Sequence, residues 1–361
     1  FPITKFLLIS FFQNKKVVFY LNMLLLVGNG FNYMVENWIN NLPEHLIDNK
    51  IKESKNDITQ KISEITKLWQ KFNDIFEEIR EKNPKLNDEE LIRIIYSVID
   101  LFSNMSGLEK IMGPEKLLEL KGLFDSLLLE KIRDIALEFK SHHESIGYKN
   151  IKKLFPDFGK NFNQILIDNK VEYLHIYTTN YDGILDTLLT DDPRGFIFHD
   201  GFGNIHNDRF LGFYEYNINY SKIICHLHGS YLYEKNFGVT YKLKENLENN
   251  EPVMIFNNPD FKENIIKKDT VLSEYYKILE SDLKTADQLI IFGNSMANEP
   301  HIKKLIQKYG NKKELKILIF SNSPEKVSQE LEGFYNYNIS EFNTKDYNTP
   351  YIFFNELKKI L

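Results

Sequence analysis

The chain has 361 residues, 42% of them apolar and many of them Phe or Tyr, which suffices for one large α/β core with an attached subdomain. A net charge of −6, with basic residues that are mostly Lys, argues against direct nucleic-acid binding through phosphate neutralisation. Cys225 is the single cysteine; that excludes an intrachain disulfide framework and a four-thiolate zinc site, and points to a cytoplasmic protein.

The apolar run Phe6 to Phe12 is too short to span a membrane, and no cleavage pattern follows it. The first methionine is Met23, so residues 1–22 are expected to be an upstream extension or disordered segment. Five short apolar runs then end in polar or glycine-rich turns: Leu24 to Val27, Tyr173 to Tyr177, Lys222 to Leu227, Gln288 to Phe292 and Leu315 to Phe320. Such runs, with helical-period segments between several of them, predict a Rossmann-like parallel β-sheet covered by helices on both faces. Roughly 145 residues separate the first two runs, far beyond an ordinary crossover, so a large mainly α-helical insertion is expected. Within it, Ile62 to Ile79 and Leu91 to Phe102 carry apolar residues at helical spacing, Asn87 begins a helix, and Pro114 opens another long one. The expected division is 23–45 with 170–361 for the core, and 46–169 for the insertion.

Each run delivers small polar residues to one rim. The first ends in Gly28-Asn29-Gly30-Phe31-Asn32, where glycines admit a diphosphate to the backbone and the following helix start offers free N–H groups; Tyr33 replaces the third glycine of the dinucleotide fingerprint, and a plain tight turn explains the motif equally well. The second delivers Thr178-Thr179-Asn180-Tyr181-Asp182, as a ligand-facing cluster or as a helix N-cap supplied by Asn180 or Asp182. The third ends in Cys225-His226-Leu227-His228-Gly229-Ser230. Two histidines at i and i+2 have metal-ligand spacing, with His199 and His206 as the nearest further ligands, but His228 at the strand end is the better general base, with its ring exposed, and His226 the structural one. Gly293-Asn294-Ser295-Met296 and Ser321-Asn322-Ser323 complete five turns that line one dinucleotide-shaped crevice.

In this order the motifs resemble the sirtuin superfamily. Gly28-Asn29-Gly30 is similar to its glycine-rich NAD loop, Thr178 to Asp182 to its Thr-Gln-Asn-Ile-Asp signature, and His228-Gly229 to its catalytic His-Gly. Gly293-Asn294-Ser295 resembles the Gly-Thr-Ser turn that contacts NAD, and Asn322 the asparagine of the adenosine-side strand. The zinc module is missing and Thr179 replaces the glutamine, departures that resemble the sirtuin-like NAD hydrolases of bacterial anti-phage defence.

The resemblance implies NAD as substrate and no zinc, with cleavage to nicotinamide and ADP-ribose that depletes NAD. It assigns Asn180 to positioning water or ribose, His228 to accepting a proton, and Asp182 to holding the nicotinamide amide. Gly28, Gly30 and Ser295 would cradle the diphosphate, and Asn29, Asn32 and Asn322 would meet ribose or adenine; Thr178, Thr179, Gly229, Gly293 and Asn294 complete the NAD contacts. A homo-oligomer is expected, together with a partner ATPase or helicase or a phage-sensing protein from the same operon. An NAD-dependent protein deacylase and a non-catalytic NAD- or ADP-ribose-binding regulatory module are the alternatives.

Overall fold

The computed structural model describes residues 21–41, 92–94, 97, 113–144, 151–189, 198–207, 209–213, 221–244, 251–256, 259–310, 315–331 and 338–360. The expected extension 1–22 and the helices over Ile62 to Ile79 and Leu91 to Phe102 fall largely or wholly outside them. At the centre is a six-stranded, all-parallel sheet flanked by helices, made of β1 (Leu21–Val27), β2 (Val171–Thr178), β5 (Lys222–His226), β9 (Gln288–Phe292), β10 (Lys316–Ser321) and β11 (Asn338–Asn343). The five apolar runs are its first five strands. Residues such as Leu24, Ile176, Ile223, Ile291 and Ile319 are almost completely buried, because a strand covered on both faces has no solvent side on which to alternate.

The strands lie in the order β11-β10-β9-β1-β2-β5. The chain therefore builds outward from β1 to β2 and β5, returns to the other side of β1 and builds outward again through β9, β10 and β11. That is the doubly wound order, with its topological switch point between β1 and β9. Register is continuous there, Leu25 pairing with Ile290 and Val27 with Phe292, so the two loops that leave these strands start level with each other.

Helix α1 (Gly30–Asn40) follows β1, and Trp38 anchors it. The indole Nε1 donates to Tyr347 O at 2.7 Å, and the ring packs 5.8 Å from Phe158 and 5.9 Å from Phe353. Helix α2 (Pro114–Glu144) begins where Pro114 predicted it. It packs on a second sheet, with Phe139 5.8 Å from Tyr231. That sheet has five strands in the order β3-β4-β7-β6-β8: β3 (Phe202–Ile205), β4 (Phe210–Phe213), β6 (Gly229–Asn236), β7 (Val239–Leu243) and β8 (Pro252–Met254), all paired antiparallel. The sequence reading anticipated neither this sheet nor β11.

Candidate active site

At the switch point a groove of about 860 Å³ runs over the ends of β1, β9 and β10. Its wall includes Asn29, Gly30, Thr179, Gly293, Asn294, Ser295 and Asn322 from the sequence-predicted set. The glycines interlock: a Cβ on Gly28 would lie 2.8 Å from Asn294 Cα, one on Gly30 2.6 Å from Gly293 Cα, and one on Gly293 2.5 Å from Phe31 N. Gly293 also has φ +61°, which only glycine adopts without strain. The expectation of free helix-start N–H groups fails here. Gly30 N donates to Gly293 O across the close approach of the two loops, while Phe31 N and Asn32 N are used within the first turn itself, on Gly28 O and Asn29 O. Ser295 and Asn322 are exposed on the rim.

At the end of β2, Thr178 Oγ1 accepts from Asn180 N, and Thr179 Oγ1 accepts from Asn294 Nδ2 at 3.1 Å, tying the ends of β2 and β9 together across β1. Asp182 accepts from Ile184 N at 2.9 Å and from Asn32 Nδ2 at 2.7 Å, so its carboxylate starts α4 (Ile184–Leu189) and braces α1. Burial raises its pKa, against the pull of those two bonds. Asn180 is 7% exposed, and its Nδ2 is a buried donor with no hydrogen-bond partner among the described residues. Such atoms are rare enough to need a reason. Asn32 is fully buried, with Oδ1 similarly unpartnered.

His228 is 2% exposed, not at an open rim as the strand end suggested. The reason is topological: only Leu227 and His228 separate β5 of the parallel sheet from β6 of the antiparallel one, so His228 sits at the junction of two sheets. Gly229 follows with φ +85°, and a Cβ on it would lie 1.8 Å from Val253 O, so close packing on β8 demands glycine there. His226 is held on both sides: its Nε2 lies 3.1 Å from Asp186 Oδ1 and its Nδ1 3.4 Å from Asn180 O, bracing the backbone of Asn180. Burial opposes protonation of His226, yet Asp186 outweighs it and raises the pKa.

The partners of His228 come from across the switch point. Its Nε2 lies 3.2 Å from His301 Nε2 and 3.2 Å from Glu299 Oε2, an ion-pair distance. Lys262 on α5 (Pro259–Lys268), fully buried, reaches Glu299 Oε1 at 3.4 Å and donates to Asn298 O at 3.1 Å. Burial by itself would raise Glu299, but His228 and Lys262, with His301, hold its carboxyl down to about 2. Burial lowers His228, partly offset by Glu299, and burial with the neighbouring His228 takes His301 down to about 3. At neutral pH the cluster is an ionised carboxylate balanced by Lys262 and flanked by two neutral imidazoles.

Among the described residues, His228, Glu299 and His301 form the one set whose donor atoms, all within 4.8 Å of one another, could hold a metal ion. His301 Nδ1 lacks, among the described residues, the acceptor that metal-bound histidines normally have. Proton handling fits the set better. His199 and His206 are exposed, His206 against Tyr241 with ring centroids 4.6 Å apart, and neither joins His226 and His228 in a ligand set. The sequence reading missed Glu299, Lys262 and His301; the available signal was an acid two residues before a histidine, just beyond the Gly293 turn.

No protein-family model matches the chain, and no curated protein matches it significantly.

Proposed function

We propose that the protein hydrolyses NAD to nicotinamide and ADP-ribose. One observation carries this reading: a groove of dinucleotide size at the switch point has Glu299 in its wall, and Glu299 lies 3.2 Å from His228. The interlocked glycine loops form the floor of the groove on which the diphosphate lies, with Ser295 at the rim and Asn29 and Asn322 toward ribose or adenine. Asn180, whose buried Nδ2 is unpartnered, orients water or the ribose. His228, neutral at pH 7, accepts the proton of the attacking water through Glu299, and the interlocked rim keeps the reacting groups in one geometry. Asp182, with Asn32, shapes the nicotinamide end. As an effector of anti-phage defence the enzyme would deplete NAD, in a homo-oligomer or with a partner from its operon.

The test is release of nicotinamide from NAD by protein co-expressed with its genomic neighbours. Equal amounts of nicotinamide and ADP-ribose without any peptide are expected. Release that requires an acyl-lysine peptide would make the protein a deacylase, and NAD binding with no release would make it a sensor.

A further inference from the structure

The group of the histidine cluster that reaches the groove is not a histidine. His228 and His301 are 2% and 1% exposed, whereas Glu299 forms part of the groove wall. Glu299 stands immediately before Pro300, the first residue of α7 (Pro300–Gly310), where a carboxylate often caps helix N–H groups. Here it does not. Its Oε2 is buried with no hydrogen-bond partner among the described residues, and Oε1 meets only the Lys262 ammonium.

The loop that carries it is held in an unusual shape. Met296 is a non-glycine residue at φ +61°, fully buried, and its N–H donates to Asn294 Oδ1 at 2.8 Å; Glu299 N then donates to Met296 O at 3.2 Å. Left-handed backbone at such a residue persists only when its surroundings enforce it, and it concentrates at functional sites. The turn that binds Thr179 through Asn294 thus also fixes Glu299.

We propose that Glu299 is a catalytic carboxylate that faces the cationic nicotinamide riboside of the substrate and carries the countercharge for the His228 imidazolium. The proposal rests on the NAD-hydrolysis reading. As the C1′–N1 bond breaks, its electron pair leaves with nicotinamide and positive charge develops on the ribose. The oxygen of water bonds to C1′, and its proton passes by way of the Glu299 carboxylate in the groove wall to His228 behind it. Glu299 is anionic before and after the transfer: it attracts the developing ribosyl cation, relays the proton, then stabilises the protonated histidine 3.2 Å away. Lys262 and His301 are positioning residues, the first aligning Oε1 and the second closing the far side of His228.

The experiment compares wild type, Glu299→Gln and Glu299→Asp in two assays: nicotinamide release from NAD, and calorimetric binding of carba-NAD, whose pyridinium is cationic but not cleavable, against NADH, whose ring is neutral. Wild type is expected to prefer carba-NAD by about tenfold. In Glu299→Gln that preference disappears and release falls by about 10²- to 10³-fold. Glu299→Asp, which keeps the charge, retains the preference and part of the turnover. If Glu299 merely held Lys262 in place, Gln would leave the preference intact, and that result overturns the proposal. So does a wild-type protein that binds carba-NAD and NADH equally, whether or not the variants fold. Wild type that prefers carba-NAD yet releases no nicotinamide sinks the hydrolase reading alone, while the loss of preference in Glu299→Gln still upholds the carboxylate's contact. Failure to bind either dinucleotide removes both.

Discussion

The two halves of the rim solve different physical problems. The half over β1, β9 and β10 is built from backbone and small polar side chains: glycines that interlock within 2.8 Å, with Ser295 and Asn322 open to solvent. The half reached through β2 and β5 is buried and ionisable, with Asn180, His226, His228, Asp182 and Asp186 each under a tenth exposed. On the proposed function, shape holds the ligand in the first and charge withheld from water does the chemistry in the second. Glu299 bridges them, leaving the rim of β9 to meet the histidine that follows β5.

The sharpest way to break this contrast is Asn180→Ala. Because Asn180 Nδ2 makes no hydrogen bond among the described residues, its removal should cost little stability, on the order of 1 kcal/mol, while nicotinamide release falls by about a hundredfold or more. A thermal melt and a kinetic assay on the same preparation decide it: activity near wild type would remove Asn180 from the chemical half. The opposite pattern is expected for Gly293→Ala. Its φ of +61° and a Cβ 2.5 Å from Phe31 N force the two loops apart, costing about 2–3 kcal/mol of stability and weakening NAD binding more than turnover. Unchanged melting and affinity would show that the interlock matters for neither fold nor groove.

The smallest effect is a pH slope. His228 and His301 have folded pKa values below the ordinary 6.5, so below that pH the unfolded chain takes up protons that the folded chain refuses, and stability falls. His226, raised by Asp186, acts in the opposite direction, stabilising below 6.5 and fading as pH rises, and so opposes the other two. Glu299, held near 2, adds its own loss only below about 4.5. A net drop in melting temperature on the order of 5 °C between pH 7 and pH 5 is expected, with His301→Gln flattening it. A slope that His301→Gln leaves unchanged would place the acid sensitivity outside this cluster.

How legible this was depended on local pattern. β1, β2, β5, β9 and β10 are apolar enough to be read directly, and Pro114 marks its helix. β11 reads Asn-Ile-Ser-Glu-Phe-Asn, an edge strand whose polar residues hide it, and the antiparallel strands are short and mixed in composition. The rim glycines were visible as motifs, but not that their N–H groups turn inward, since that depends on how two loops 263 positions apart face each other. His228 stood out as a strand-end histidine, yet its burial follows from a sheet that local sequence does not announce. Glu299 and Lys262 acquire meaning only through contacts with His228 and with each other.

The interlocked glycines have a further consequence, for sequence drift. Gly28, Gly30 and Gly293 each occupy space that a side chain on another of them, or on its neighbour, would need, so none can change alone without parting the loops at the switch point. Asn29, Ser295 and Asn322 line the same groove without being wedged in this way. The fixed trio is thus a mould around which neighbours are free to vary, and on the proposed function dinucleotide preference can shift at those three positions while the loop geometry stays the same.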